Sequence, residues 1–299
     1  MIALSRREFT GLCLAFSSFA VSSAASTDTG RTVKFRDGAI VPAWARVRAG
    51  LGKGKRPQAA EEEALRTGLS LGMTLIDTAE IYGSEEFIGR AIAGQRDRVF
   101  LVSKVWPNHV SGDGVARACE ASLRRLGTDH LDLYLLHWPN GVTNIASVVA
   151  AFEKLRSAGK IRRWGVSISR SATWKISSVS RTEIAARPIK SLMASRTGVL
   201  SVMCSAWCVR QGMPVMAYSP LGGPGANLLR DPTLARIGEA HGCSPAAVAL
   251  AWTIRNGNVI AIPESGSAAH VKENAVALSL TLNPQDIQAL EVAHPVAKP

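Results

Sequence analysis

Cysteine is scarce and scattered. The five residues Cys13, Cys119, Cys204, Cys208 and Cys243 show no regular spacing, which excludes a disulfide framework. No histidine or further cysteine pair accompanies Cys204 and Cys208, which excludes a zinc site. Long apolar runs are also missing near the N-terminus: the apolar stretch at 12–21 falls short of the roughly 20 residues that span a bilayer, so it is no stable membrane anchor. Acids are nearly absent from two windows. Residues 44–55 hold Arg46, Arg48, Lys53 and Lys55 with no Asp or Glu, and 168–205 hold six Lys or Arg against Glu183 alone. Together with Arg6 and Arg7 these windows account for almost all of the formal net charge of +12. A protein this basic would ordinarily suggest nucleic acid as a partner. A surplus confined to three short places leaves the main body nearly neutral and excludes that class.

What is present is enough apolar residue for a large core, 46% of 299. The N-terminus, 1–26, has the three parts of an export signal: Ser5-Arg6-Arg7-Glu8-Phe9, the apolar stretch, then small residues ending near Ala24 and Ala25. Paired arginines before phenylalanine are similar to the twin-arginine signal, which hands folded proteins to the export machinery. This predicts a periplasmic protein, or a cytoplasmic one if the leader is not used, with a second unit over 31–299.

From 57 onward strands and helices alternate. Helices are expected at 59–71, 85–93, 115–126, 145–158, 232–241, 244–256 and 284–293. Strands are expected at 73–76, 98–104, 131–137, 161–167, 214–218 and 259–262, and a hairpin at 32–41 around Asp37-Gly38. Ser244 and Pro245 mark a helix start. Such alternation implies parallel strands with crossover helices, and the units on either side of the irregular window suit an α/β fold, a single (β/α)8 barrel.

Three of these strands finish on ionisable groups: Ile76-Asp77 with Tyr82 just after, Ser103-Lys104, and Leu136-His137-Trp138. Parallel strands bring such ends to one face, where a barrel keeps its catalysts. An isolated Asp–Tyr pair would read first as a helix cap and a loop aromatic. Four ionisable groups at three strand ends instead form a candidate acid–base site.

The segments DTAEIYG, VFLVSK, LDLYLLHWP, KIRRWGVS, VMAYSPL and IPESGSAAHVKEN, in that order, resemble the aldo/keto reductases over most of 31–294. The resemblance implies a TIM barrel that transfers hydride from NADP(H) or NAD(H) to a small-molecule carbonyl substrate. Tyr82 would be the proton donor, Lys104 and His137 would tune it, and Asp77 would pair with Lys104. A phenol near pKa 10 is a weak acid, so an adjacent ammonium that stabilises the phenolate eases proton delivery. No side chain donates hydride, so a nicotinamide must. The resemblance places Tyr218 against the nicotinamide face, Ser167 at its carboxamide, and Ser219, Leu221 and Gly223 in a glycine-rich loop near the pyrophosphate. Ser265, Glu273 and Asn274 fall at the adenosine end. Two positions depart from the family: Glu264 stands where lysine is common and His270 where arginine often is. A carboxylate there repels the extra phosphate of NADP, which weakens any preference over NAD.

The family also expects a Gly-x-Gly-Thr strand end within 44–55, and Ser-Asn-Phe, then Asn-Gln-Val, within 168–205. Neither window carries them, which predicts disrupted first and sixth strands and leaves two alternatives to a working enzyme: a non-catalytic cofactor-binding or regulatory barrel, and an inactive product. Shifted codons, built from the last base of one residue and the first two of the next, can recover the missing text. Residues 181–191 (RTEIAARPIKS) can read HGDRCATNQV, 170–179 can read LGDMEDLFR, and 44–48 can read Gly-Gln-Gly-Thr. One consistent shift in both places points to a pair of frameshifted windows. The nucleotide sequence of the gene checks this: its alternate frame is expected to encode ATNQV at 186–191, and any other reading there ends the idea.

Overall fold

A computed structural model describes residues 31–47, 57–138, 141–168, 189–194, 208, 212–222 and 227–295. A short antiparallel hairpin comes first, β1 (Thr32–Lys34) and β2 (Ile40–Pro42), turning through Asp37 and Gly38 as the sequence predicts. Then follow β3 (Ala45–Val47), α1 (Gln58–Ser70), β4 (Leu75–Asp77), α2 (Glu85–Ala91), β5 (Phe100–Val105), α3 (Gly114–Leu126), β6 (Leu133–Leu136), α4 (Ile145–Ser157) and β7 (Trp164–Ile168). The remainder comprises β8 (Ile189–Ala194), β9 (Val215–Tyr218), α5 (Pro232–Ala240), α6 (Pro245–Ile254), β10 (Val259–Ile262), α7 (Ala268–Ala275) and α8 (Pro284–Ala293).

Strands β3 to β10 form one sheet in chain order, every neighbouring pair parallel. The sheet closes on itself where Trp44 and Ala261 form a parallel bridge and Ala261 N donates to Ala43 O at 2.9 Å. This is the expected (β/α)8 barrel, and among the described residues the closed sheet leaves no open edge. Two expectations are corrected. The first and sixth strands are present, as β3 and β8, because a parallel ladder is made by backbone groups that a changed sequence still supplies. Strand β5 runs one residue past Lys104, to Val105. Of the irregular windows, 48–55, 169–188 and 195–205 lie outside the described residues, as does the leader at 1–26.

Helix starts follow local chemistry. Ser244 accepts from Ala247 N and Asp231 from Thr233 N and Leu234 N, each with proline next, and Asn283 and Asp286 form a reciprocal capping box. Gly127 adopts φ +62° at the end of α3, a left-handed turn that glycine takes without strain.

Period-two alternation decides what each strand presents inward. In β4 to β6, Leu75, Val102, Leu133 and Leu135 belong to one core cluster, while Ile76, Leu101, Val105, Tyr134 and Leu136 pack with Leu123 of α3 and Phe152 of α4 in another. The inward parity therefore continues from Leu75 to Asp77, from Val102 to Lys104 and from Leu135 to His137. The outward parity sends Ser103 to Glu85, a buried carboxylate that Arg125 also meets. The hairpin is held across the barrel's other end by Arg31, which donates to Ala251 O and Leu280 O, and by Arg163, 2.6 Å from Asp37 and stacked over Phe35 and Phe100. Among the described residues no helix is long and apolar enough to cross a membrane.

Candidate active site

The C-terminal rim of β4, β5 and β6 brings the four acid–base residues together. Lys104 Nζ donates to Asp77 at 2.7 Å and to Thr78 O at 2.8 Å, and both charged side chains are almost fully buried. Asp77 is thus the partner of an ammonium, not a helix cap. Burial raises its carboxyl above the ordinary value, and the Lys104 charge opposes that rise.

Tyr82 ends a 3₁₀ turn, Glu80–Tyr82, tied back by Tyr82 N to Ala79 O at 3.0 Å. Gly83 follows at φ +67°, which reverses the chain into α2. A buried contact between Thr78 Oγ1 and Ser84 Oγ, 3.0 Å apart, closes the same loop. The turn lays the phenol ring over Lys104 Nζ, 5.0 Å from its centroid, and places the hydroxyl 3.2 Å from His137 Nε2. Desolvation raises the phenol above 10, with Asp77 and Glu264 adding to the rise and Lys104 pulling it down. It is protonated at neutral pH, and its conjugate base sits beside an ammonium.

His137 is buried, and burial with the nearby Lys104 charge lowers its pKa from 6.5 to about 3. The ring is therefore neutral above that pH. Among the described residues its Nδ1 has no hydrogen-bond partner, and the indoles of Trp106 and Trp138 flank the ring at 5.5 and 4.9 Å between ring centroids.

The residues expected to hold the cofactor lie, where described, at the ends of β7 and β9 and beyond β10. Ser167 is buried on β7, one residue from its end, and Tyr218 ends β9 opposite Ala194 of β8 and Ile262 of β10. Ser219 takes φ +47°, an unusual value for a residue with a Cβ, and its carbonyl accepts from Gly222 N at 2.9 Å. This tight turn carries the chain off the end of β9, and Leu221 packs back on the core. Ser265 and Asn274 are buried beyond β10, Glu273 is exposed on α7, and Gly223 lies outside the described residues. The hydroxyls, amide and tight turn suit a dinucleotide; the exposed Glu264 does not suit an added phosphate.

Sequence reasoning passed over Glu80, Trp106 and His109, which join the site through the loops after β4 and β5. Their available signal was position alone: an acid two residues before Tyr82 and an indole two after Lys104.

A profile of the aldo/keto reductase family matches residues 47–294. The chain is 41% identical over 278 residues to methylglyoxal reductase YeaE of Escherichia coli (strain K12), covering 90% of this chain and 96% of that one. It is 32% identical over 266 residues to a glyoxal reductase of Bacillus subtilis (strain 168), covering 87% and 91%. Among solved structures, an aldo-keto reductase from Klebsiella pneumoniae in complex with NADPH superposes with a TM-score of 0.82 at 39% identity, covering 90% of this chain and 97% of that one.

The neutral imidazole makes a prediction. The unfolded chain binds a proton at His137 below about 6.5 while the folded chain does not until about 3. Stability therefore falls with falling pH across that window, by about 1.4 kcal/mol per pH unit for one proton. Denaturant unfolding at several pH values is expected to lose about one proton of this slope in His137→Gln; an unchanged slope would contradict the burial argument.

Proposed function

The chain belongs to the aldo/keto reductase family, and we propose that it reduces small aldehydes or ketones with NAD(P)H, using Tyr82 as acid. The observation that carries this is the phenol set between a buried, paired ammonium and a neutral imidazole. Of the two rim groups facing a nascent alkoxide, Tyr82 keeps its phenolic proton at neutral pH, whereas His137 is already the neutral imidazole and has no imidazolium proton to give. A nicotinamide held at the rim would supply the hydride, since no side chain there can. Lys104 stabilises the phenolate left behind, Asp77 and Thr78 O hold Lys104 in place, and neutral His137 can hydrogen-bond near the carbonyl oxygen without competing as a charge. Ser167 and Tyr218 would orient the nicotinamide, the Ser219 turn with Leu221 and Gly223 would hold the pyrophosphate, and Ser265, Glu273 and Asn274 the adenosine. The relatives named for methylglyoxal and glyoxal, and the neighbour solved with NADPH, support small carbonyl compounds as the substrate class and a nicotinamide cofactor.

The finer readings stand on sequence. Residues 1–26 act as a twin-arginine export leader ahead of one barrel at 31–299, and the protein folds around its cofactor before it reaches the periplasm. Fractionation of cells would test this, with protein confined to the cytoplasm as the contrary result. The two basic windows are frameshifted stretches within an otherwise family-like chain.

Assay of NADPH oxidation with an aromatic aldehyde, beside a cofactor titration, separates the alternatives. Turnover supports the reductase, binding without turnover a regulatory barrel, and neither an inactive product. Tyr82→Phe is expected to lower kcat at least about 100-fold, the span of general acid catalysis, with cofactor affinity kept; an active Phe variant would remove Tyr82 from the role. Glu264→Lys is expected to tighten NADPH about tenfold and NADH little, as one added phosphate contact implies. No gain for NADPH would clear Glu264 of setting cofactor choice.

A further inference from the structure

We propose that Glu80 is a positioning residue for the carbonyl substrate: its carboxylate straps the turn carrying Tyr82 to the turn carrying Trp106, and so fixes an aromatic wall beside the proton-transfer groups. The proposal rests on the reductase reading and adds a residue to it.

Glu80 opens the 3₁₀ turn that ends in Tyr82. Its Oε1 accepts from the backbone N–H of Trp106 and lies 3.1 Å from His109 Nδ1, so one oxygen meets both ends of the second 3₁₀ turn, Pro107–His109, and its flank. The Glu80 side chain is 9% exposed while that of His109 is 55% exposed. Water therefore competes little for the carboxylate, and the bond to the Trp106 backbone is charge-assisted in a shielded place.

The strap acts on what Trp106 touches. Its indole stands edge-on to His137, at 5.5 Å and 86°, and to Trp138, at 4.6 Å and 62°. Trp138 in turn lies 4.9 Å from His137, whose Nε2 meets the Tyr82 hydroxyl. Moving Trp106 thus moves the wall next to the carbonyl site. The Lys104–Asp77 pair would not move, because its bonds go to β4, β5 and Thr78 instead. Loss of the strap should therefore weaken substrate binding more than the chemical step. It should weaken it most for an aryl carbonyl, whose ring packs on indoles, and least for a three-carbon ketoaldehyde, which presents little surface to them.

Steady-state kinetics of Glu80→Ala and Glu80→Gln with benzaldehyde and with methylglyoxal tests this. Glu80→Ala is expected to raise KM for benzaldehyde about tenfold, the order of one charge-assisted hydrogen bond, with kcat within about twofold and a smaller change for methylglyoxal. Glu80→Gln is expected to stay within about threefold of the parent, since its amide oxygen still accepts from Trp106 N–H. An unchanged KM in Glu80→Ala, equal damage in Glu80→Gln, loss of cofactor affinity, or failure of Glu80→Ala to fold would each overturn the positioning role. Calorimetric titration of benzaldehyde in the Tyr82→Phe background reads the same affinity loss without turnover. If the unaltered chain reduced no carbonyl while that loss persisted, the reductase reading would fall and the strap would stand.

Discussion

The site depends first on an ion pair that water does not reach. Isolated, a buried ammonium or carboxylate costs several kcal/mol in desolvation. Lys104 and Asp77 offset that cost by mutual contact at 2.7 Å and by the further bond to Thr78 O. Neither side chain can leave without stranding the other, so the pair holds β4 and β5 in one register at the rim. Its positive end is then available to the phenol above it. The same field that eases ionisation of Tyr82 discourages protonation of His137. Burial keeps both groups in their neutral forms, and the one buried charge then pulls them apart, towards ionisation for the phenol and away from protonation for the imidazole.

Strand parity explains why these residues meet. Asp77, Lys104 and His137 lie far apart in the chain, yet each continues an inward-facing apolar series at the same end of adjacent parallel strands. Shifting any one strand by one residue would turn its polar end group outward among the leucines and aromatics packed under α2 to α4. Tyr82 is the exception. It reaches the site from a loop, and needs its 3₁₀ turn, the Thr78–Ser84 contact and Gly83 to arrive.

This difference also sets what could be read from the chain alone. Apolar runs that stop at Asp77, Lys104 and His137 announce buried parallel strands with reactive ends, and glycines, serines and prolines mark the helix boundaries. The barrel, and the meeting of these three residues at one end of it, were legible for that reason. Strands β3 and β8 were not, because their ladders rest on backbone groups and three to six residues each, with no family-like side chains to mark them. Glu80 was hidden for a related cause. Its partners are a backbone N–H and an imidazole more than 25 residues away, and periodicity says nothing about either.

The two halves of the rim are built differently. Charges on the proton-transfer side are locked to strands and to one another before any ligand arrives, so that geometry is preorganised. The side proposed for the dinucleotide rests on the backbone turn at Ser219 and on residues beyond β10, with hydroxyls and an amide in place of paired charges. Such groups are mutually interchangeable in a way that Lys104 and Asp77 are not. A substitution on that side, such as Glu264→Lys, therefore changes what the rim can hold without stranding a buried charge, whereas one at Lys104 or Asp77 leaves its partner unpaired in the core.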